Sequence, residues 1–301
     1  MDKEELQKWK KAGKIAGEAR EYGKTLLKED ANLFDIAIKI EDFILNKGAK
    51  LGFPVQISLN DLAAHYTPFP KDTLCLKEGD VVKLDLGAHI DGYIGDTALT
   101  FEVSSNNYKD LINSSKEALD AAIKLAKPGT KIYEIGEAVE NIIKKYNFFP
   151  IRNLSGHRVE RYILHSGLSI PNFNNNDKTE LTEGLIIAIE PFSTNGVGLV
   201  KEGKPSSNYR WPGSSKLPRD PIARKVLDYV KKEINTIPFA ERHLIKTFPD
   251  SRLKWALNIL EKEGIIYQYP QLNEKSDGVV SQCEHTIYVS DKQIVLTRID
   301  N

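Results

Sequence analysis

Two aspartates flanking a tight turn are the residues in this chain best placed to do chemistry. The segment Val81-Val-Lys-Leu-Asp85-Leu-Gly-Ala-His89-Ile-Asp-Gly92-Tyr-Ile-Gly-Asp96-Thr-Ala-Leu-Thr-Phe101 reads as two strands joined at Asp91-Gly92. With a loop from His89 to Gly92, Asp85 and Asp96 fall opposite each other. Directly opposed residues share a face, with Cβ atoms about 5 Å apart. Two carboxylates that close either share a proton or take a cation between them. The apolar strand around Asp85 makes an unpaired charge costly. A solvent-facing or turn-capping Asp explains either residue singly; for the opposed pair, a metal is the expectation.

Three further segments carry candidate ligands: Asn153-Leu-Ser-Gly-His157, Ile187-Ala-Ile-Glu190-Pro-Phe192 and Ser281-Gln-Cys-Glu284-His-Thr-Ile-Tyr-Val289. Each is weak alone, because a lone buried His is usually a satisfied core residue and a Glu at a strand end is usually on the surface. Together, Asp85, Asp96, His157, Glu190 and Glu284 make four carboxylates and one imidazole. That set suits two hard or borderline divalent cations and offsets their charge. His65, in Asn60-Asp-Leu-Ala-Ala-His65-Tyr-Thr-Pro68, and His165, in Leu164-His-Ser-Gly-Leu-Ser-Ile-Pro171, are further histidines with small neighbours. His89 is expected to be structural or solvent-exposed in the turn. Strand alternation sends Cys283 and His285 to the face opposite Glu284. Cys75 has no His partner in sequence, so a cysteine nucleophile has no support, and His243 receives no role.

The elements that must position these groups read as two similar halves. Leu6, Trp9, Ala12, Ile15, Ala16 and Ala19 recur at helical spacing, and residues 33–47 repeat the pattern. Extended segments come next at 54–59, 81–86 and 93–103, then helices at 108–127 and 132–146. A shift of 99 positions carries Glu18-Ala19 onto Glu117-Ala118, Leu26 onto Leu125, Ile36 onto Ile135, Glu41 onto Glu140 and Ile44 onto Ile143. An ordered series of this kind indicates duplication, with a site in the cleft between the halves. After Val200 the composition changes. Residues 204–216 read as a loop from their Gly, Pro and Ser content, and helical patterns resume at 221–235, 238–246 and 251–263. Residues 201–263 hold 14 Lys/Arg against 8 Asp/Glu, a net of +6. A basic helical insert thus interrupts a more acidic body. Its bland reading is a cover over the core, since basic faces are usually just solvated; nucleic-acid contact is the other reading.

Composition removes several classes. At 301 residues, 41% hydrophobic and 28% charged, the chain has ordinary globular composition with a sizeable core. Lys+Arg and Asp+Glu both number 42, against a strongly basic nucleic-acid binder. No apolar run is long enough for a transmembrane helix, and the first five residues hold no signal core. Two cysteines exclude a disulfide framework and a Cys-based zinc finger, and a reducing cytoplasm is expected.

In their order, Asp85, Asp96, His157, Glu190 and Glu284 resemble the ligand set of the dinuclear "pita-bread" peptidases. Residues 60–68, 83–97, 153–157, 164–172, 187–192 and 282–286 resemble the methionine aminopeptidases, and the insert resembles that of their type II members. The absence of a long N-terminal extension makes the resemblance archaeal-type. It covers essentially the whole chain. It implies an α+β pita-bread fold with pseudo-twofold duplicated halves: a catalytic domain of residues 1–200 and 271–301, and a helical, winged-helix-like insert of residues 201–270. It implies two divalent ions (Co2+, Mn2+, Fe2+ or Zn2+), with Asp85 on the first, Asp96 and Glu284 bridging, and His157 and Glu190 completing the second. A metal-bridged hydroxide would attack the first peptide carbonyl and Glu190 would shuttle the proton to the leaving amine. His65 and His165 would contact the substrate amide and the tetrahedral intermediate, while Phe53, Leu164 and Phe192 would surround the methionine side chain. The implied activity is removal of initiator methionine from nascent polypeptides with a small second residue. A cytoplasmic monomer is implied, with the ribosome as a further contact for the basic insert. One departure is Cys283, where an aromatic residue is expected before the last glutamate; it bears on local packing only. A proline-specific peptidase of the same fold is the second class, disfavoured by the lack of an extra N-terminal domain. A non-catalytic binding protein is the third, disfavoured because all five ligands are present.

Overall fold

The computed structural model describes residues 2–248 and 250–299. Its first half opens with α1 (Lys3–Leu26), started by a reciprocal cap in which Asp2 and Glu5 bond each other's backbone N–H. Asn32 caps α2 (Leu33–Asn46). The chain then runs through β1 (Lys50–Leu59), β2 (Leu62–Ala64), β3 (Val81–Ile90) and β4 (Tyr93–Glu102). The second half repeats the opening with α3 (Lys109–Leu125) and α4 (Ile132–Lys145), followed by β5 (Phe149–Pro150), β6 (Ser155–Arg158), β7 (Ser169–Pro171), β8 (Ile186–Ile189) and β9 (Phe192–Thr194). Both ends of α2 and α4, and the C-terminal ends of α1 and α3, lie 99 residues apart, the period read from the sequence.

The remaining elements are β10 (Val200–Arg210), α5 (Pro221–Tyr229) with a π turn over Val230–Ile234, β11 (Phe239–Ala240), α6 (Glu241–Leu244), α7 (Asp250–Lys262), β12 (Tyr267–Glu274), β13 (Val280–Gln282), β14 (Glu284–Tyr288) and β15 (Ile294–Val295). The central antiparallel sheet has the order β1-β3-β4-β14-β8-β6-β7, with β15 beside β14. β14 therefore returns from the end of the chain to join the halves, between β4 of the first and β8 of the second.

Helices cover one face of this sheet. Leu84, Leu86 and Ala88 of β3 join Ile36, Ile40 and Ile44 of α2 in one buried cluster. Ile187 and Ile189 of β8 and Ile287 of β14 join Ile135, Val139 and Ile143 of α4 in another. The intervening residues of the same strands, Asp85, Ala188, Glu284 and Thr286, point to the opposite face.

The segment after Val200 departs from its sequence reading. Residues 204–210, expected to be loop, belong to the long strand β10, which pairs with β12 and β11. Ser and Pro suggested a turn, but backbone pairing with β12, Pro205 opposite Pro270 included, extends the strand. The expected helix at 238–246 shrinks to Glu241–Leu244, because Phe239 and Ala240 pair with Tyr209 and Asn208. Helices α5 and α7 then bury Val226, Leu227, Leu253, Leu257 and Leu260 in a separate core against Tyr209 and Phe239. This layer is pinned to the body by Arg242, whose guanidinium forks onto the Glu41 carboxylate of α2 and donates to Thr67 Oγ1 at 2.7 Å. His243 Nε2 also lies 3.1 Å from Glu41 Oε1, a structural place for a histidine the sequence left without one. Among the described residues, no helix is long and apolar enough to cross a membrane.

Candidate metal centre

The hairpin that carries the two aspartates is tighter than expected. Ile90 pairs with Tyr93, so only Asp91 and Gly92 form the turn, both at positive φ (51° and 88°). An Asp-Gly dipeptide accepts that geometry, which suits the twist of the flanking strands. The turn is centred one residue further along than expected, which moves each cross-strand partner by two residues. Asp85 faces Ala98 and Asp96 faces Gly87, so the aspartates are diagonal neighbours on one face instead of directly opposed. His89 is consequently a buried strand residue, its Nδ1 accepting the Gly92 N–H at 3.0 Å, and not an exposed turn residue.

Strand register alone then assembles the cluster. Asp85 of β3 pairs with Ala98 of β4, which pairs with Glu284 of β14. Continuing the β14–β8 pairing by one position sets Glu190, just past β8, opposite Glu284. Two residues along, the next row on the same face runs from Asp96 to Thr286, Ala188 and His157. All five candidate ligands thus occupy two adjacent rows of one sheet face, and the residues between them are Ala and Thr. Gly156 lets β6 approach β8 closely enough to deliver His157: a Cβ there would sit 2.3 Å from the Ala188 carbonyl oxygen.

The atoms that meet form a candidate cation site. Ligand atoms of Asp96, His157 and Glu284 lie within 4.8 Å of one another. His157 Nε2 is 3.6 Å from both Asp96 Oδ2 and Glu190 Oε1, too far for good hydrogen bonds. Asp85 Oδ1, Asp96 Oδ1 and Glu284 Oε1 are buried and have no hydrogen-bond partner. Leaving buried carboxylate oxygens orphaned is costly unless something absent from the protein satisfies them. Burial pushes the Asp85 carboxyl up to about 7, and burial together with the neighbouring carboxylates raises Asp96, Glu190 and Glu284 well above the usual range. Burial holds the His157 imidazole down, at about 4, which keeps it neutral and ligating. A divalent ion reverses the penalty on the carboxylates. The donor set therefore fits hard or borderline metal.

The cluster floors a cavity of about 220 Å3. His65, His165, Phe53, Leu164 and Phe192, all singled out in the sequence, line it. His65 is in the left-handed region (φ 73°), and its Nδ1 lies 2.9 Å from the Pro270 carbonyl oxygen. That acceptor fixes the proton on Nδ1 and leaves Nε2 an acceptor. The ring of His165 stacks edge-on to His157 at 4.3 Å. His285 and Cys283 do lie on the opposite face: His285 Nδ1 contacts Thr297 Oγ1 at 2.8 Å, and the Cys283 thiol contacts Ser115.

Sequence reasoning missed three residues here. Gln282 Nε2 donates to Glu190 Oε2 at 3.2 Å and lies 3.5 Å from Glu284 Oε2. Its position two residues before Glu284, on the same strand face, was the available signal. Asn208 and Tyr269 also line the cavity, and Asn208 Oδ1 and Tyr269 Oη are buried without partners. Asn208 comes from β10, in the stretch read as loop from its composition, and Tyr269 from its pairing partner β12.

Comparison with known proteins agrees with this geometry. The model of metallopeptidase family M24 matches residues 7–291. A methionine aminopeptidase of Pyrococcus abyssi is 46% identical over 294 residues, covering 97% of this chain and 99% of that relative. One of Methanocaldococcus jannaschii is 42% identical over 297 residues, covering 99% of each chain. A solved methionine aminopeptidase of Thermotoga maritima superposes with a TM-score of 0.72 at 21% identity, covering 99% of this chain and 98% of that one, and so speaks to the shared pita-bread fold alone. Orphaned carboxylates around a neutral imidazole, on a sheet face shared by two duplicated halves, are the arrangement a metallopeptidase of this fold requires, and the chain belongs to metallopeptidase family M24, among its methionine aminopeptidases.

Proposed function

We propose that this chain removes an N-terminal methionine from peptides whose second residue is small. The observation that carries the reading is a cluster of four carboxylates and one imidazole, with buried oxygens of Asp85, Asp96 and Glu284 left without partners, at the floor of a cavity walled by Phe53, Leu164 and Phe192. Asp85, Asp96, His157, Glu190 and Glu284 would hold two divalent ions (cobalt, manganese, iron or zinc). Such ions polarise a peptide carbonyl and lower the pKa of water toward neutrality when bound.

The chain's own residues supply the rest. The apolar wall takes the methionine thioether, and the small cavity restricts the size of the second side chain. The carboxylate floor attracts the free α-ammonium group, which confines cleavage to the first residue. His65, proton fixed on Nδ1 toward Pro270, offers Nε2 to the substrate amide N–H; burial lowers its basicity and keeps it neutral. His165, beside His157, would donate to the carbonyl oxygen as negative charge develops there. Glu190, one oxygen held by Gln282, would carry a proton to the leaving amine. Residues 201–270 form the insert whose strands bring Asn208 and Tyr269 over the cavity. The natural substrates are then nascent chains in the cytoplasm, and salt-dependent cosedimentation with ribosomes would show the basic insert touching them.

Mass spectrometry of Met-Ala-Ser, Met-Lys-Ser and Lys-Pro, incubated with protein and manganese or cobalt and again with EDTA, tests this reading. Metal-dependent loss of Met from the first peptide alone is expected. Cleavage of Lys-Pro instead overturns it in favour of proline-specific chemistry.

A further inference from the structure

A large unassigned cleft lies on the other side of the central sheet, lined by residues of α1 and α3. It opens over the backs of β4 and β14 with a volume of about 580 Å3, more than twice the volume of the metal-face cavity. Cys283 and His285, the residues on either side of Glu284, form its floor. Four cationic side chains from three parts of the chain converge on it: Arg20 and Lys24 from α1, Lys116 from α3, and Arg298 near the C-terminus.

Charge in the cleft is unbalanced. Glu21 is engaged by Arg20, with Oε1 2.8 Å from Nη2, and Asp120 is engaged by Arg298 at 2.9 Å. Lys24 and Lys116 make no ion pair among the described residues. In a chain of zero net charge, two uncompensated ammonium groups lining one cleft raise the positive potential there. Asn113, also lining the cleft, adds an amide donor. Arg20 is itself buried and held by Thr97 Oγ1 at 2.6 Å, so the cationic wall is rigid at its base.

We propose that this cleft binds a phosphate-type dianion between Lys24 and Lys116. Two ammonium groups match the charge of one phosphate, and the volume beyond the phosphate leaves room for an attached organic group. The floor is wired to the metal face. Thr97, which accepts from Arg20, donates to the Glu284 carbonyl at 2.9 Å, and Thr297 links His285 to the Thr286 backbone N–H at 3.1 Å.

Isothermal titration calorimetry on the metal-loaded full chain, with inorganic phosphate, pyrophosphate and AMP at constant ionic strength, tests this directly. The wild-type chain and Lys24→Gln/Lys116→Gln are compared; both lysines are exposed, so folding is retained. Any contact of the probes with metal on the opposite face is common to both proteins and cancels. One-site binding that weakens about tenfold or more in the double variant is expected, the scale of losing charge-assisted hydrogen bonds. Tighter binding of AMP than of phosphate assigns the cleft to an organic phosphate, and the reverse order to the inorganic ion. Equal heats in the two proteins, or no heat from any probe up to millimolar concentration, overturn the proposal. The readout is independent of which peptide the metal face cleaves.

Discussion

Each buried carboxylate of the metal face is useful because the protein itself leaves it unsatisfied. Asp85, Asp96 and Glu284 each keep an oxygen without a partner, an arrangement that costs stability unless a cation completes it. Asp96→Ala and Glu284→Ala remove two of the proposed ligands and are expected to abolish metal-dependent cleavage; activity near wild type in either contradicts the proposed dinuclear site. Gln282 is the residue that holds the ligands without being one, bonding Glu190 and approaching Glu284. Gln282→Ala is expected to weaken metal binding about 10–100-fold, the usual cost of losing a group that orients ligands. Competition with a fluorescent chelator measures it, and unchanged affinity would assign Gln282 to packing. The apolar wall discriminates weakly by its nature. Peptides beginning one methylene shorter than methionine should lose only about 10–200-fold in kcat/KM, and a much steeper loss would require a polar recognition element.

At the scale of the element, the join between the two halves is stitched by threonines. β4 and β14 share only two backbone-paired positions. Thr286 Oγ1 bonds both the N–H and the carbonyl of Asp96 at 2.8 Å, and Thr100 Oγ1 bonds the carbonyl and N–H of Gln282 at 2.7 and 2.8 Å. Those hydroxyls replace ladder hydrogen bonds directly beneath the ligands. Thr286→Val keeps the shape and removes both bonds. A loss of about 1–3 kcal/mol is expected in denaturant unfolding, accompanied by weaker metal retention; full stability would show that the backbone pairs suffice. Much of this organisation was legible in the sequence. The 99-residue period located the helix pairs, because amphipathic periodicity and helix ends are local properties. The ligand face was legible for the same reason, since alternation within a strand is fixed by the pleat. The register error at Asp85 and Asp96 came from the turn: which of Ile90, Asp91 and Gly92 lie in the loop depends on φ values that a sequence suggests without fixing. The strand at 204–210 was illegible because its pairing partner, β12, is about 60 residues away and outweighs the local Ser and Pro.

For the whole molecule, the insert must stay fixed on the body, because β10 and β12 carry Asn208 and Tyr269 to the cavity. The Glu41–Arg242 pair is the buried link. The Arg242 guanidinium and His243 hold the Glu41 carboxyl far below its usual range, overcoming a burial effect that raises it. A carboxylate whose folded-state pKa is depressed contributes stability that is complete above its unfolded value and lost as pH falls through the folded one. Acid unfolding of the wild type should thus be steeper below the ordinary glutamate range than that of Glu41→Gln/Arg242→Met. Arg242→Met alone leaves the buried Glu41 carboxylate with only His243 and the Val55 N–H as partners, with an expected cost of up to about 3–5 kcal/mol; the double variant should recover most of it, and no recovery would place the effect outside the pair. We propose that metal held on the sheet face away from the helices is the condition for methionine cleavage by this chain. The decisive experiment strips the protein with EDTA, returns manganese stepwise, and follows both bound metal and release of Met from Met-Ala-Ser. Stripped protein should release none, and release should recover in proportion to occupancy of the five-ligand cluster. Undiminished release after stripping, or full occupancy with no release, would contradict the assignment.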